Sequence, residues 1–126
     1  MTLIDSDVLI WFTRGHPTAR TRLTAINPWR ISTITYMELA QGCHGKQELA
    51  SAQRGLALAR TEILPLTPAI SERAMRLTDR YALSDGLQLA DALIAATAIE
   101  HGLPLLTGNA RHFAPIGELK LERFEP

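Results

Sequence analysis

Short apolar runs alternate along this chain with longer segments whose apolar residues recur at helical spacing. Leu3-Ile4 leads into a helical pattern over residues 6–12, and a run at 31–34 leads into another over 36–43. Glu62-Ile63-Leu64 precedes a long segment, 68–83, in which Ile70, Ala74, Leu77 and Tyr81 repeat at helical spacing while Arg73, Arg76 and Arg80 occupy another, solvated face. Thr67 is placed to cap that helix, with Pro68 at its first position. Residues 89–101 carry Ala90, Leu93, Ile94, Thr97 and Ala98 on one broad apolar side, and Gly102 sits where a helix would stop. A run at 103–106 follows. A helix is also expected at 47–60, with Gly55 inside it, and a last short strand at 119–121.

Strands this short and apolar, separated by helices, predict a parallel sheet covered on both faces. The expected fold class is α/β, a three-layer α/β/α domain. In such folds ligands collect at the carboxyl ends of the strands, where helix N-termini also point.

Composition narrows the class. The 126 residues suit one domain, expected to span 1–126, and are 46% apolar and 21% charged, ordinary for a globular protein. Cys43 is the only cysteine, which excludes an internal disulfide and any paired-cysteine zinc site. A reducing cytoplasm is the natural compartment. The opening Met1-Thr2-Leu3-Ile4-Asp5-Ser6-Asp7 has acids where a signal peptide would be apolar, and no apolar run approaches the roughly 20 residues a spanning helix needs. No membrane association is expected. Formal net charge is zero, which argues against a dedicated nucleic-acid binder but not against a nuclease with an acidic centre. Arginine outnumbers lysine eleven to two, and Arg14, Arg20, Arg22 and Arg30 follow the first helix as candidates to meet phosphates.

The acids then stand out by position. Asp5 and Asp7 directly follow the first strand, Glu38 lies in the first turns of the helix after the second, and Asp91 lies near the start of the 89–101 helix. Thr107-Gly108-Asn109 follows the next strand. Gathered carboxylates repel one another and raise each other's pKa unless a cation is present. Mg²⁺, or Mn²⁺ in its place, takes oxygen ligands in near-octahedral geometry and suits such a set. His16, His44, His101 and His112 show no spacing for zinc. A site of this kind activates water and clamps the oxygens of a phosphodiester.

Each residue also has an ordinary explanation. Asp5 or Ser6 can cap the first helix, Thr35-x-x-Glu38 is a capping-box pattern, Asp91 suits a helix dipole and Asn109 suits a turn. Trp11 and Phe12 are candidates for the core or a partner interface, and Cys43 for a small buried apolar residue.

Four blocks, taken together, resemble the PIN-domain family, and within it the VapC-type toxins. They are Leu3-Ile4-Asp5-Ser6-Asp7-Val8-Leu9-Ile10, Glu38-Leu39-x-x-Gly42, the run from Leu89-Ala90-Asp91 to Thr97-Ala98, and Leu105-Leu106-Thr107-x-Asn109-x-x-His112-Phe113. The resemblance implies a five-stranded parallel sheet and an acidic pocket holding one or two Mg²⁺ or Mn²⁺ ions. It puts Asp5, Glu38 and Asp91 on the family's regular acidic positions as catalytic residues and metal ligands, with Asn109 at a fourth position that is often Asp. Asp7 stands where the family commonly has Asn, Ser or Thr, and adds a charge to the ligand set. Thr107, Ser6 and Arg14 are expected to line the pocket. The implied activity is an endoribonuclease acting on an RNA substrate. The implied partners are a VapB-like antitoxin, lying along the first two helices with Trp11 and Phe12 as anchors, and a second copy in a homodimer.

Two alternatives stay open on the residues alone. One is a PIN-like binding module that holds RNA or protein without cleaving it. The other is a phosphatase with an aspartyl nucleophile, suggested by Asp5-x-Asp7, although Leu9 stands where that pattern wants Thr. Only Lys46 and Lys120 are available as its lysine.

Overall fold

In the computed structural model, which describes residues 1–126, five short strands form one parallel sheet in the order β3-β2-β1-β4-β5. They are β1 (Leu3–Ile4), β2 (Arg30–Ser32), β3 (Glu62–Leu64), β4 (Leu105–Thr107) and β5 (Leu121–Arg123). The helices are α1 (Ser6–Thr13), α2 (Pro17–Thr24), α3 (Thr33–Gln41), α4 (Lys46–Leu58), α5 (Pro68–Asp85), α6 (Leu89–Glu100) and α7 (Ala110–Phe113).

The three layers follow from side-chain alternation on the two central strands. Leu3 and Leu105, paired in register, face one cluster with Ile70, Leu77, Ile94 and Phe113 from α5, α6 and α7. Their neighbours Ile4 and Leu106, also paired, face a second cluster with Val8, Leu23, Leu39 and Leu56 from α1 to α4. Both strands are therefore buried on both faces, which is why they read as unbroken apolar runs. Removing one such leucine costs about 2–5 kcal/mol, whereas an exposed ion pair contributes about 0–1 kcal/mol. The apolar alternation carries the fold.

Helix ends explain the boundaries. Thr67 Oγ1 accepts from Ile70 N–H at 3.2 Å and Pro68 opens α5, as expected, while Gly86 at φ +70° ends it in the left-handed region. Gly102, at φ +63°, follows α6. Several expectations shift. The second strand stops at Ser32, because Ser32 Oγ accepts from Thr35 N–H at 2.9 Å and starts α3 there. Thr35 is consequently inside the helix and buried, so the Thr35–Glu38 capping box does not exist. The final strand lies two residues later than expected, since pairing Leu105 with Leu121 leaves Leu119 free to pack with Phe113 and Ile116. Helices α2 and α7 appear in segments where no helix is expected. Of the arginine stripe, Arg76 and Arg80 are exposed, but Arg73 is half-buried, pairing with Glu100 and, at 3.1 Å, with Glu118. No helix is long and apolar enough to cross a membrane.

Strand order is what creates a site. From β1 the chain proceeds outward to β2 and β3, then crosses back so that β4 pairs on the other flank of β1. The carboxyl ends of β1 and β4 thus bound the crevice where the winding reverses, the usual ligand position in an open α/β sheet.

Candidate active site

Asp5 occupies that crevice. It is the first residue after β1 and the N-cap of α1, its Oδ1 accepting from Ser6 N–H at 2.8 Å. Its Oδ2 accepts from the Thr107 hydroxyl at 2.8 Å across the β1–β4 seam. Only 5% of Asp5 is exposed. The capping and the functional explanations of this residue are therefore not exclusive, since one carboxylate caps α1 and also forms the floor of the crevice.

Ser6 extends the set to α3. Its hydroxyl donates to Glu38 Oε1 at 3.0 Å and lies 3.5 Å from Asp5 Oδ1. Glu38 sits in the second turn of α3, on the side facing α1. Asp91 comes from the first turn of α6, where the helix dipole favours an anion. Thr107, buried at the end of β4, also accepts from Asn109 N–H at 3.0 Å, so one hydroxyl links the Asn109 backbone to Asp5. The Asn109 side chain is exposed and makes no cap bond with α7.

Electrostatics binds these groups together. Burial pushes the carboxyl pKa of Asp5, Glu38 and Asp91 above the usual range. For Glu38 and Asp91 the negative charge of Asp5 adds to the effect, and Asp91 also raises Glu38. Asp7 is pushed up to about 6, first by burial and then by Asp5. Asp7 Oδ2 accepts from Gly108 N–H at 2.9 Å, while its Oδ1 is buried with no partner. His112, on α7, and a hydrogen bond with the Gln88 backbone oppose the rise at Asp91. His112 was not among the expected site residues, although it lies in the same block as Asn109, three positions on and within a single turn.

The carboxylates supply oxygen donors, and the charge of Asp5 raises the proton affinity of the other three in one crevice. That chemistry fits a hard divalent cation. No three Asp, Glu, His or Cys side chains close tightly around a single point, so the fit is to an ion that the carboxylates would share in part through water.

A cleft of about 710 Å³ opens beside Glu38 between α1, α3 and α4. Leu9, Phe12, Trp29, Leu39 and Leu56 give it an apolar floor, and Arg14 and Arg20 a basic side. The expected arginine group divides here. Arg22 pairs with Glu122 at 2.9 Å, and Arg30 bonds Glu62 at 3.1 Å from the amino end of β2, opposite the acids. Neither reaches the cleft. Trp11 also falls away from it, packing edge-on against His16, whereas Phe12 meets Trp29 edge-on at 5.1 Å inside the cleft. Cys43 is half-exposed on the cleft wall rather than buried, its thiol 3.3 Å from the Leu39 carbonyl.

Known proteins resemble this chain in sequence and fold. The family model described as PIN domain matches residues 2–119. Ribonuclease VapC10 of Mycobacterium tuberculosis is 39% identical over 124 residues, covering 95% of this chain and 91% of that protein. Ribonuclease VapC19 of the same species is 34% identical over 125 residues, covering 95% and 98%. Among solved structures, a toxin–antitoxin complex from Klebsiella pneumoniae superposes with a TM-score of 0.83 at 31% identity, covering 100% of both chains. VapBC2 from Rickettsia felis, bound to a DNA fragment, has a TM-score of 0.81 at 23% identity over 98% of each chain and shares the fold. With the model spanning nearly every element that builds the crevice, the chain belongs to the PIN-domain family.

Proposed function

We propose that this chain is a single PIN domain acting as a metal-dependent endoribonuclease, the toxin of a VapBC-type pair. The observation that carries the reading is the crevice itself. Asp5, Glu38 and Asp91 come from three separate segments and share one electrostatic field at the switch point of the sheet. Relatives named ribonuclease VapC, at 39% and 34% identity, and the toxin–antitoxin complex at 31% identity support the substrate class and the partner.

Asp5, Glu38 and Asp91 are the residues that would hold Mg²⁺ or Mn²⁺, with Asn109 as a neutral oxygen donor at the rim. When bound, the ion supplies charge neutralisation at a phosphodiester and activation of water. The chain's own work is orientation. Thr107 and Ser6 N–H hold both oxygens of Asp5, and Ser6 Oγ holds Glu38, so two carboxylates face the crevice in fixed rotamers. Arg14 and Arg20 are placed to meet phosphates of an RNA strand approaching along the cleft.

The same cleft suits an antitoxin tail. Its floor takes apolar side chains, and a basic residue from the tail would meet Glu38 at the end nearest the acids. We further infer a cytoplasmic setting, consistent with the single free thiol, and a homodimer. The aspartyl-phosphatase alternative loses its lysine. Lys46 opens α4, and Lys120 precedes β5 at the amino edge of the sheet, away from Asp5.

The test is cleavage of structured RNA by purified, partner-free protein in Mg²⁺, abolished by EDTA. Cleavage that persists in EDTA would remove the metal from the reading. Absence of cleavage, with RNA still bound, would favour the binding-module alternative.

A further inference from the structure

Among the four carboxylates of the crevice, Asp7 accepts from the backbone of a distant segment. Its Oδ2 accepts from the backbone N–H of Gly108 at 2.9 Å, reaching from α1 to the turn after β4. Gly108 is pressed so closely against it that an added Cβ would lie 2.5 Å from that oxygen. No real side chain fits there without moving Asp7 or the turn. The turn is held on both sides of this contact. Thr107 carbonyl accepts from Phe124 N–H at 2.9 Å, and Thr107 Oγ1 donates to Asp5 while accepting from Asn109 N–H. Gly108 is the one residue between them, and its backbone is anchored by Asp7.

We propose that Asp7 is a positioning residue, which through Gly108 holds the Thr107–Asn109 turn against Asp5, and that it is not itself a ligand of the metal. Its Oδ2 is committed to the Gly108 backbone on a segment 101 residues away, and its Oδ1 is buried without a partner. A carboxylate is more than this contact requires. An amide oxygen accepts the Gly108 N–H equally well, and the amide NH₂ would replace the unpartnered Oδ1 with a donor beside Asp5. The proposal rests on the nuclease reading only for its effect on cleavage, because the contact itself is measurable in metal-free protein.

The experiment compares wild type, Asp7→Asn, Asp7→Ala and Gly108→Ala by amide hydrogen exchange at residue 108 without metal, by Mn²⁺ titration calorimetry, and by RNA cleavage. Asp7→Asn is expected to keep the protection of Gly108 and to keep Mn²⁺ affinity within about threefold, with cleavage retained. Asp7→Ala is expected to lose protection at Gly108 by about tenfold and to lose cleavage by at least as much, while remaining folded by circular dichroism. Gly108→Ala reaches the same contact from the other side, and a cleavage loss matching that of Asp7→Ala is expected. An Asp7→Asn protein with protected Gly108 but Mn²⁺ affinity lowered about tenfold or more would identify Asp7 as a ligand and overturn the proposal. Unchanged protection of Gly108 in Asp7→Ala would overturn it equally, whether or not any variant cleaves RNA.

Discussion

The Thr107 hydroxyl donates to Asp5 Oδ2 at 2.8 Å, joining residues 102 positions apart at the seam between β1 and β4. The same oxygen accepts from Asn109 N–H, so Thr107 has its full polar complement satisfied in a fully buried position. It is the side-chain hydroxyl link across that seam, beside the Gly108–Asp7 contact.

Thr107→Val keeps the shape and removes that link. A hydrogen bond to a charged group contributes about 1.5–3 kcal/mol, so the melting temperature is expected to fall by several degrees and cleavage by tenfold or more. Thr107→Ser restores both. Thermal unfolding with a cleavage assay checks this, and a Val variant as active as wild type would exclude Thr107 from orienting Asp5.

Glu38→Gln separates metal-site from structural roles. Ser32, not Thr35, caps α3, so Glu38 has no part in starting that helix, and a Gln oxygen still accepts from Ser6. Cleavage is expected to collapse while the melting temperature holds or rises, because one like charge beside Asp5 and Asp91 is gone. Full cleavage in this variant would contradict the assignment of Glu38.

Metal-free stability is expected to depend on pH in a defined direction. A carboxyl raised in the folded state keeps a proton that the unfolded chain, with pKa near about 4, has already released. Stability then falls as pH rises through that window, and for Asp7 the fall ends at about 6. Asp5, Glu38 and Asp91 are shifted in the same direction and deepen it. The metal-free protein should therefore melt several degrees higher near pH 5 than at pH 7.5. Asp7→Asn should flatten part of the slope. A melting temperature that climbs between pH 5 and 7.5 would reverse the argument.

Metal should offset that loss. A ligand bound only by the folded state contributes about 2.7 kcal/mol at a hundredfold excess over Kd. Mn²⁺ at pH 7.5 is expected to raise the melting temperature of wild type by several degrees and to leave Asp5→Ala nearly unmoved. Asn109→Asp adds a charged oxygen at the exposed rim, and tighter Mn²⁺ binding with equal or greater cleavage is expected. Equal thermal shifts in wild type and Asp5→Ala would put the ion elsewhere.

The partner prediction uses the cleft. Phe12→Ala is expected to weaken antitoxin binding by about tenfold or more, since buried aromatics carry much of such interfaces. Trp11→Ala, at a residue outside the cleft, should change it far less. Comparable losses from both, by calorimetry, would move the interface to the first two helices as a whole.

Much of this was legible from local pattern. The period of apolar positions determined where strands and helices alternate, and chain order alone put Asp5, Glu38, Asp91 and Asn109 after strands or at helix starts. Local rules were sufficient at Thr67-Pro68, where the cap and the ring act within one turn. They failed at Thr35, because two hydroxyl residues three positions apart, Ser32 and Thr35, both suit a cap, and the winner was decided by where β2 pairs with β3. The arginines show the same limit. Arg14, Arg20, Arg22 and Arg30 are equivalent as a cluster in sequence, yet α2 sends Arg22 toward Glu122 while β2 sends Arg30 to the far edge of the sheet. The bonds that define the crevice, from Ser6 to Glu38, Thr107 to Asp5 and Gly108 to Asp7, span 32, 102 and 101 residues. Sequence determined that acids would lie along one edge. Only the pairing of β2 and β4 on either side of β1 decided which hydroxyl or amide Glu38, Asp5 and Asp7 meet, because register between distant strands depends on the packed core and not on any local period.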